Sequence, residues 1–146
     1  MRIIVTGGAG FIGSNFITYW LEKHPEDKIV NLDALTYAGN LDNLEDIKNN
    51  ENYEFVKGDI CYFEFVDALV KKFKPDCIVN FAAESHNSWA VLNPTIFFRT
   101  NLLGTQTLLE ACRKNSIPRF HHISTCEVYG DLPLDSKEKF TEENHY

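Results

Sequence analysis

Residues 1–15 read MRIIVTGGAGFIGSN, and two glycine spacings overlap inside them. Gly8, Gly10 and Gly13 fit G-x-G-x-x-G, while Gly7, Gly10 and Gly13 fit G-x-x-G-x-x-G. An apolar, β-branched run, RIIVT, precedes the glycines, and an amphipathic stretch, FIGSNFITYWLEKH, follows them. Strand, glycine-rich turn and helix form the context in which this spacing holds a dinucleotide pyrophosphate. The absent side chain at Gly10 lets a pyrophosphate approach the helix N-terminus, whose unpaired N–H groups and positive dipole end favour anions. Gly13 lets the helix lie close against the strands.

Outward from this turn, short apolar runs alternate with longer amphipathic stretches. RIIVT, KIVNLD, YEFVKGD, DCIVNFAA and FHHIS read as strands, each bounded by turn residues. FIGSNFITYWLEKH, LDNLEDIKNN, YFEFVDALVKKF and one long segment from Pro94 to Asn115 read as the helices between them. Pro94 suits a first helical turn, and Arg113 with Lys114 suits the negative end of the dipole. Crossovers of this length make neighbouring strands parallel and bury both faces of the sheet. The expected architecture is a doubly wound α/β sheet of about five parallel strands in the order 3-2-1-4-5, a Rossmann-like dinucleotide-binding domain over residues 1–146. The tail GDLPLDSKEKFTEENHY reads as a loop.

The second strand ends at Asp33, twenty residues after Gly13. A carboxylate there accepts from the adenosine-ribose hydroxyls. It also opposes a 2′-phosphate, since two unit charges ~4 Å apart repel by roughly 1 kcal/mol in water and about 4 at an effective dielectric of 20. NAD is therefore expected rather than NADP. GDI (Gly58–Ile60) and FAAES (Phe81–Ser85) close the third and fourth strands on the same carboxyl edge. Asp59 suits the adenine amino group, and small Ala82 and Ala83 allow the cofactor backbone close by.

Composition narrows the partners. A net charge of −7 opposes nucleic acid and anionic membrane surfaces. No stretch approaches the ~20 apolar residues of a membrane span, and the glycine-broken N-terminus is not read as a signal peptide. Cys61, Cys77, Cys112 and Cys126 are scattered without a C-x-x-C pair or metal-ligand spacing. Reduced thiols, a cytoplasmic location and no metal are expected. His86 has no second ligand nearby and reads as a hydrogen-bonding residue, and His121 and His122 read as strand packing, one to each face.

TGGAGFIGSN, LDALTYAGNLDNL, GDI, FAAESH, the Thr100–Ala111 run and RFHHISTCEVYGDLPL together resemble the extended short-chain dehydrogenase/reductase family, within it the dTDP-glucose 4,6-dehydratases. The resemblance covers nearly the whole chain, and LTYAGN is its most diagnostic part. It implies a lyase of deoxysugar (rhamnose-type) nucleotide biosynthesis that converts dTDP-glucose to the 4-keto-6-deoxy sugar through a closed hydride cycle. Carried onto this sequence, it implies cofactor contacts at Gly7, Gly10, Phe11, Ile12, Gly13, Asp33, Ala34, Leu35, Thr36, Asp59, Ile60, Phe81, Ala82, Ala83, Glu84, Ser85 and Thr100. Ser85 and Thr125 would touch the sugar, and Glu127 stands where the family has its C5 base. The family pattern Thr-Asp-Glu reads Thr125-Cys126-Glu127 here. Cys126 thus replaces the acid that protonates the leaving hydroxyl, and a thiol is a weak hydrogen-bond donor.

The family's Tyr-x-x-x-Lys pair and its C-terminal substrate domain are expected beyond Tyr146, so residues 1–146 read as an incomplete domain. Tyr129 does not serve, because Pro133 stands four residues on. Relatives are expected to dimerise through helices that include Pro94–Asn115, and with the second helix missing the association would be weakened or altered. Two other readings stay open: a non-catalytic NAD-binding module, and a nucleotide-sugar 4-epimerase.

Overall fold

Five short strands form one sheet, whose inner members carry the most apolar runs into the core, as the computed structural model of residues 1–146 shows. They are β1 (Arg2–Thr6), β2 (Lys28–Asp33), β3 (Tyr53–Lys57), β4 (Cys77–Asn80) and β5 (Phe120–His122). All pairings are parallel, and the order is β3-β2-β1-β4-β5. Successive side chains of a strand point to opposite faces, and β1 uses both. Ile3 and Val5 pack with Ile17 and Leu21 of α1 (Phe11–Lys23), together with Leu44 and Ile47 from the β2–β3 connection. Ile4 packs on the other face with Val66 and Val70 of α2 (Phe63–Phe73) and Leu108, Ala111 and Cys112 further on. Burial on both faces is why β1, β2 and β4 read as continuous apolar runs rather than alternating ones.

Chain direction across the sheet reverses at β1. From there β2 and β3 are laid down to one side, β4 and β5 to the other. The carboxyl ends of β1, β2 and β4 therefore open onto the crevice where doubly wound sheets bind ligands.

Three elements differ from expectation. LDNLEDIKNN forms a 3-10 helix over Leu41–Ile47 rather than an α-helix, started by the Asn40 side chain, which accepts from Asp42 N–H at 3.0 Å. Its buried residues, Leu44 and Ile47, lie three apart, as the tighter 3.0-residue turn requires. The long helix is not uniform: α4 (Pro94–Phe97) runs through a π-helical segment (Phe98–Gly104) into α5 (Thr105–Lys114). A short helix, α3 (Asn87–Leu92), precedes it, none of its side chains buried. His121 and His122 are not packed as expected; both are exposed on the edge strand β5, and His122 Nδ1 lies 3.0 Å from Asn80 Nδ2.

Helices α2 and α5 are tied by one carboxylate. Buried Asp67 accepts from Lys71 Nζ at 2.7 Å, Lys114 Nζ at 3.0 Å and Asn115 Nδ2 at 2.8 Å. These donors, Lys71 foremost, hold its carboxyl well below the usual carboxylate range. A depressed folded value gives stability that is present above the unfolded pKa of about 3.9 and lost as pH falls through the folded value. Asp67→Asn should therefore lower the melting temperature at pH 7 by several degrees. The deficit should shrink as thermal melts are moved into strong acid.

Candidate functional site

The glycine-rich turn is built by close backbone contact. Gly7 has φ +70°, and its N–H donates to Leu32 O at 3.0 Å. A Cβ at Gly7 would lie 2.6 Å from Ala82 N, and one at Gly13 would lie 2.3 Å from Gly7 O. Gly10 differs: a Cβ there meets only Gly7 O, at 3.3 Å. The space in front of Gly10 is thus open, a cradle that a side chain would fill. Gly10 is also the N-cap of α1, and no side chain caps that end. The N–H groups of the first turn have no intrahelical partners. Phe11 and Ile12, 82% and 62% exposed, flank them on the open side.

Asp33 closes the site from β2. Only 8% exposed, it accepts from Ala9 N–H through Oδ2 at 2.9 Å and from Leu35 N–H through Oδ1 at 2.8 Å. The carboxylate therefore fixes the glycine-rich turn and the loop after β2 together. Each oxygen keeps a second lone pair for a hydroxyl donor. Leu35, at φ +53°, turns the chain sharply so that Ala34, Leu35 and Thr36 follow the cleft edge. Asn40 N–H and the Asn43 side chain both donate to Ala9 O at 3.0 Å, returning the loop to the turn.

Beyond β3, Asp59 is already engaged. Its Oδ1 accepts from Cys61 N–H at 2.9 Å and its Oδ2 from Arg99 Nη2 at 2.7 Å. Ile60 is a core residue, and a Cβ on Gly104 would meet its Cδ1 at 2.5 Å. A ligand at Ile60 can therefore reach its backbone, not its side chain.

Beyond β4, Phe81 packs its ring 5.2 Å from that of Phe16, and Ala82 backs onto Gly7. Ala83 and Ser85 are exposed, while Glu84 is buried. The Asn101 side chain, from the π-helical segment, grips Glu84 by both backbone groups, at 2.8 Å and 2.9 Å. Thr100 lies beside it, half-buried. Short π-helical stretches recur at functional sites, and this one gives Asn101 its reach to the loop after β4.

After β5, Thr125 Oγ1 accepts from Glu127 N–H at 3.3 Å and starts a 3-10 turn over Cys126–Tyr129. Thr125, Cys126 and Glu127 are all exposed, and Cys126 Sγ points toward Glu127 Oε2 at 3.9 Å. Hydrogen bonding, that of Thr125 foremost, holds the Glu127 carboxyl below its ordinary value, so it is ionised at neutral pH. No group of three or more His, Cys, Asp and Glu side chains is gathered to hold a metal ion. No helix is long and apolar enough to cross a membrane.

Two participants were not expected from the sequence, Tyr37 and Asn101. Tyr37 lies within LTYAGN and Asn101 within the Thr100–Ala111 run, so both sat in stretches already singled out. Their partner, Glu84, is 47 and 17 residues away respectively, and no local pattern signals such contacts.

The GDP-mannose 4,6 dehydratase family model matches residues 4–146. A dTDP-glucose 4,6-dehydratase of Mycobacterium tuberculosis is 50% identical over 146 residues, 100% of this chain and 43% of that protein. The dTDP-glucose 4,6-dehydratase of Bacillus anthracis, solved in complex with NAD, superposes with a TM-score of 0.87 at 46% identity, over 99% of this chain and 43% of that one. That of Streptomyces venezuelae, solved with NAD bound, gives 0.90 at 40% identity, over 99% of this chain and 44% of that one. The chain thus spans less than half the length of the relatives it matches.

Proposed function

The chain belongs to the GDP-mannose 4,6 dehydratase family, and on that premise we propose that it binds NAD and serves the 4,6-dehydration of dTDP-glucose. The observation that carries the cofactor reading is the Asp33 carboxylate hydrogen-bonded to Ala9 N–H of the glycine-rich turn. Ribose acceptor and pyrophosphate cradle are one preassembled unit. Gly7, Gly10 and Gly13 would admit the diphosphate to the start of α1, with Phe11 and Ile12 beside it. Asp33, Ala34, Leu35 and Thr36 would line the adenosine ribose. Asp59 and the Ile60 backbone would face the adenine. Phe81, Ala82, Ala83, Glu84, Ser85 and Thr100 would line the remaining half of the dinucleotide.

When bound, NAD supplies a hydride acceptor that can return what it has taken. The residues of this chain supply proton chemistry and positioning. Glu127, ionised and exposed beyond β5, suits the base that removes the C5 proton, and Ser85 and Thr125 suit the sugar hydroxyls. Cys126 stands where the family carries its acid, and this supports a second reading: a module that holds NAD without expelling water.

The exposed apolar residues Phe98, Leu102 and Leu109 fit the helix face expected to meet a second copy. Four free thiols fit a cytoplasmic location.

Calorimetric titration tests the cofactor reading. NAD should bind, and NADP should bind at least about tenfold more weakly, because its added phosphate would face the Asp33 carboxylate. Equal or tighter binding of NADP, or no binding of NAD, overturns it. Product analysis after incubation with dTDP-glucose separates dehydration, which gives a 4-keto-6-deoxy sugar, from epimerisation, which gives dTDP-galactose.

A further inference from the structure

Glu84 is a carboxylate with 6% exposure. Burying a charged group is costly unless it is paired or hydrogen-bonded, yet one protein donor reaches its carboxylate: the Tyr37 hydroxyl, to Oε2 at 3.1 Å. The two residues belong to different loops. Tyr37 follows β2 and Glu84 follows β4, and these are the strands that flank β1 on its two sides. The bond therefore crosses from one wall of the crevice to the other at the carboxyl end of β1, where the glycine-rich turn begins.

Both anchors are stiff. On one side, the Asn101 side chain fixes the Glu84 backbone through its N–H and its carbonyl. On the other, Leu35 N–H is held by Asp33, Gly39 N–H by Thr36 O, and Asn40 N–H by Ala9 O. Tyr37 sits at the tip between these ties, 62% exposed. A ring that exposed adds little to the core, so the hydroxyl is what the position uses. Partial desolvation of the hydroxyl, with the Glu84 charge beside it, pushes the Tyr37 phenol further above an ordinary value that already leaves it a donor at neutral pH.

We propose that Tyr37 and Glu84 form a clasp across the cofactor cleft, Tyr37 being a positioning residue that sets how slowly a bound dinucleotide leaves. The clasp rests on the NAD reading above. A dinucleotide lying from the loop after β2 to the loop after β4 has to pass this bond to escape as a whole, whereas its entry into an already opened cleft does not require the bond to form. Loss of the hydroxyl should therefore act on dissociation.

The test uses NADH as a fluorescent probe, chased from the protein by excess NAD in a stopped-flow instrument. Tyr37→Phe should raise the NADH dissociation rate about tenfold, the order expected for one hydrogen bond to a charged acceptor. The association rate should be unchanged or faster, and the melting temperature close to that of the parent. Glu84→Gln keeps an acceptor oxygen and should show a smaller rise. Adding Tyr37→Phe to Glu84→Ala should accelerate release no further, because residues that act through one shared bond are not additive.

Equal dissociation rates for the parent and Tyr37→Phe overturn the clasp while leaving the cofactor reading intact. So do additive effects in the double variant. If the parent itself binds neither NADH nor NAD, the cofactor reading falls and the clasp falls with it.

Discussion

Alanine at Gly13 is expected to destabilise the protein by about 3 kcal/mol or more, the upper range for overpacking a tight site. The added methyl would stand 2.3 Å from Gly7 O and 2.8 Å from Gly8 Cα. Both are backbone atoms of the same turn, so neither can swing aside as a flexible side chain would. The turn must open, and Gly7 is in turn stacked on the Ala82 backbone. Alanine at Gly10 should behave in the opposite way. Its methyl meets a single atom at 3.3 Å, and the backbone there, at φ −76°, accepts any residue. That variant should melt within about 1 kcal/mol of the parent while losing NAD affinity by about 100-fold or more, because the methyl occupies the approach to the start of α1. Circular-dichroism melts and calorimetry on the pair separate folding from binding. A Gly10→Ala protein that binds NAD like the parent would contradict the pyrophosphate placement.

The second large effect is expected at Asp33. Alanine there strands two amides at once, Ala9 N–H in the buried turn and Leu35 N–H at the left-handed bend. Each buried donor left without a partner costs about 1–3 kcal/mol. A loss of roughly 2–4 kcal/mol in stability is therefore expected, together with about a 100-fold loss in NAD affinity as the ribose acceptors disappear. Asparagine does not repair it, since its amide group presents donors where one of the two backbone donors needs an acceptor. Denaturant melts and NAD titrations of Asp33→Ala and Asp33→Asn check both halves. If Asp33→Asn retains parental stability, the two amides do not depend on the charge.

The sheet was legible because β1, β2 and β4 are buried on both faces. RIIVT, KIVNLD and DCIVN can hardly be read otherwise, and the turn between RIIVT and the following helix fixes the direction of winding. Handedness and crossover length gave parallel strands covered on both faces, and the reversal at β1 came with the dinucleotide-binding reading of the glycines. What escaped was decided by contacts between distant residues. LDNLEDIKNN has helical composition, but the Asn43 side chain is drawn to Ala9 O and the segment tightens to a 3-10 helix. Nothing in FRTNLLG marks wider turns; their partners are Glu84, gripped by Asn101, and Ile60, packed against Gly104. Within the candidate site, the glycines and Asp33 were readable from spacing and position. Tyr37 was not, because an exposed tyrosine in a loop acquires meaning only when the opposite wall of the cleft is known. Likewise Asp59 and Ile60 were correctly located at a strand end, but the Arg99 ion pair and the burial of the Ile60 side chain depend on how the π-helical segment lies over them.

That segment also changes how this stretch of chain responds to insertions and deletions. In a regular α-helix each residue advances about 100°, so losing one would swing every later side chain out of register with its packing partners. Here Thr107, Leu108, Ala111 and Cys112 lie buried just downstream of turns that are already wider than the α-helical kind. Tightening those turns to ordinary α geometry would absorb a one-residue shortening and leave the inward face of α5 where it was. The adjustment would come at the expense of Asn101, whose reach to the opposite loop depends on the wider winding. Length variation between Phe98 and Gly104 should therefore be tolerated by the core and felt at the cleft.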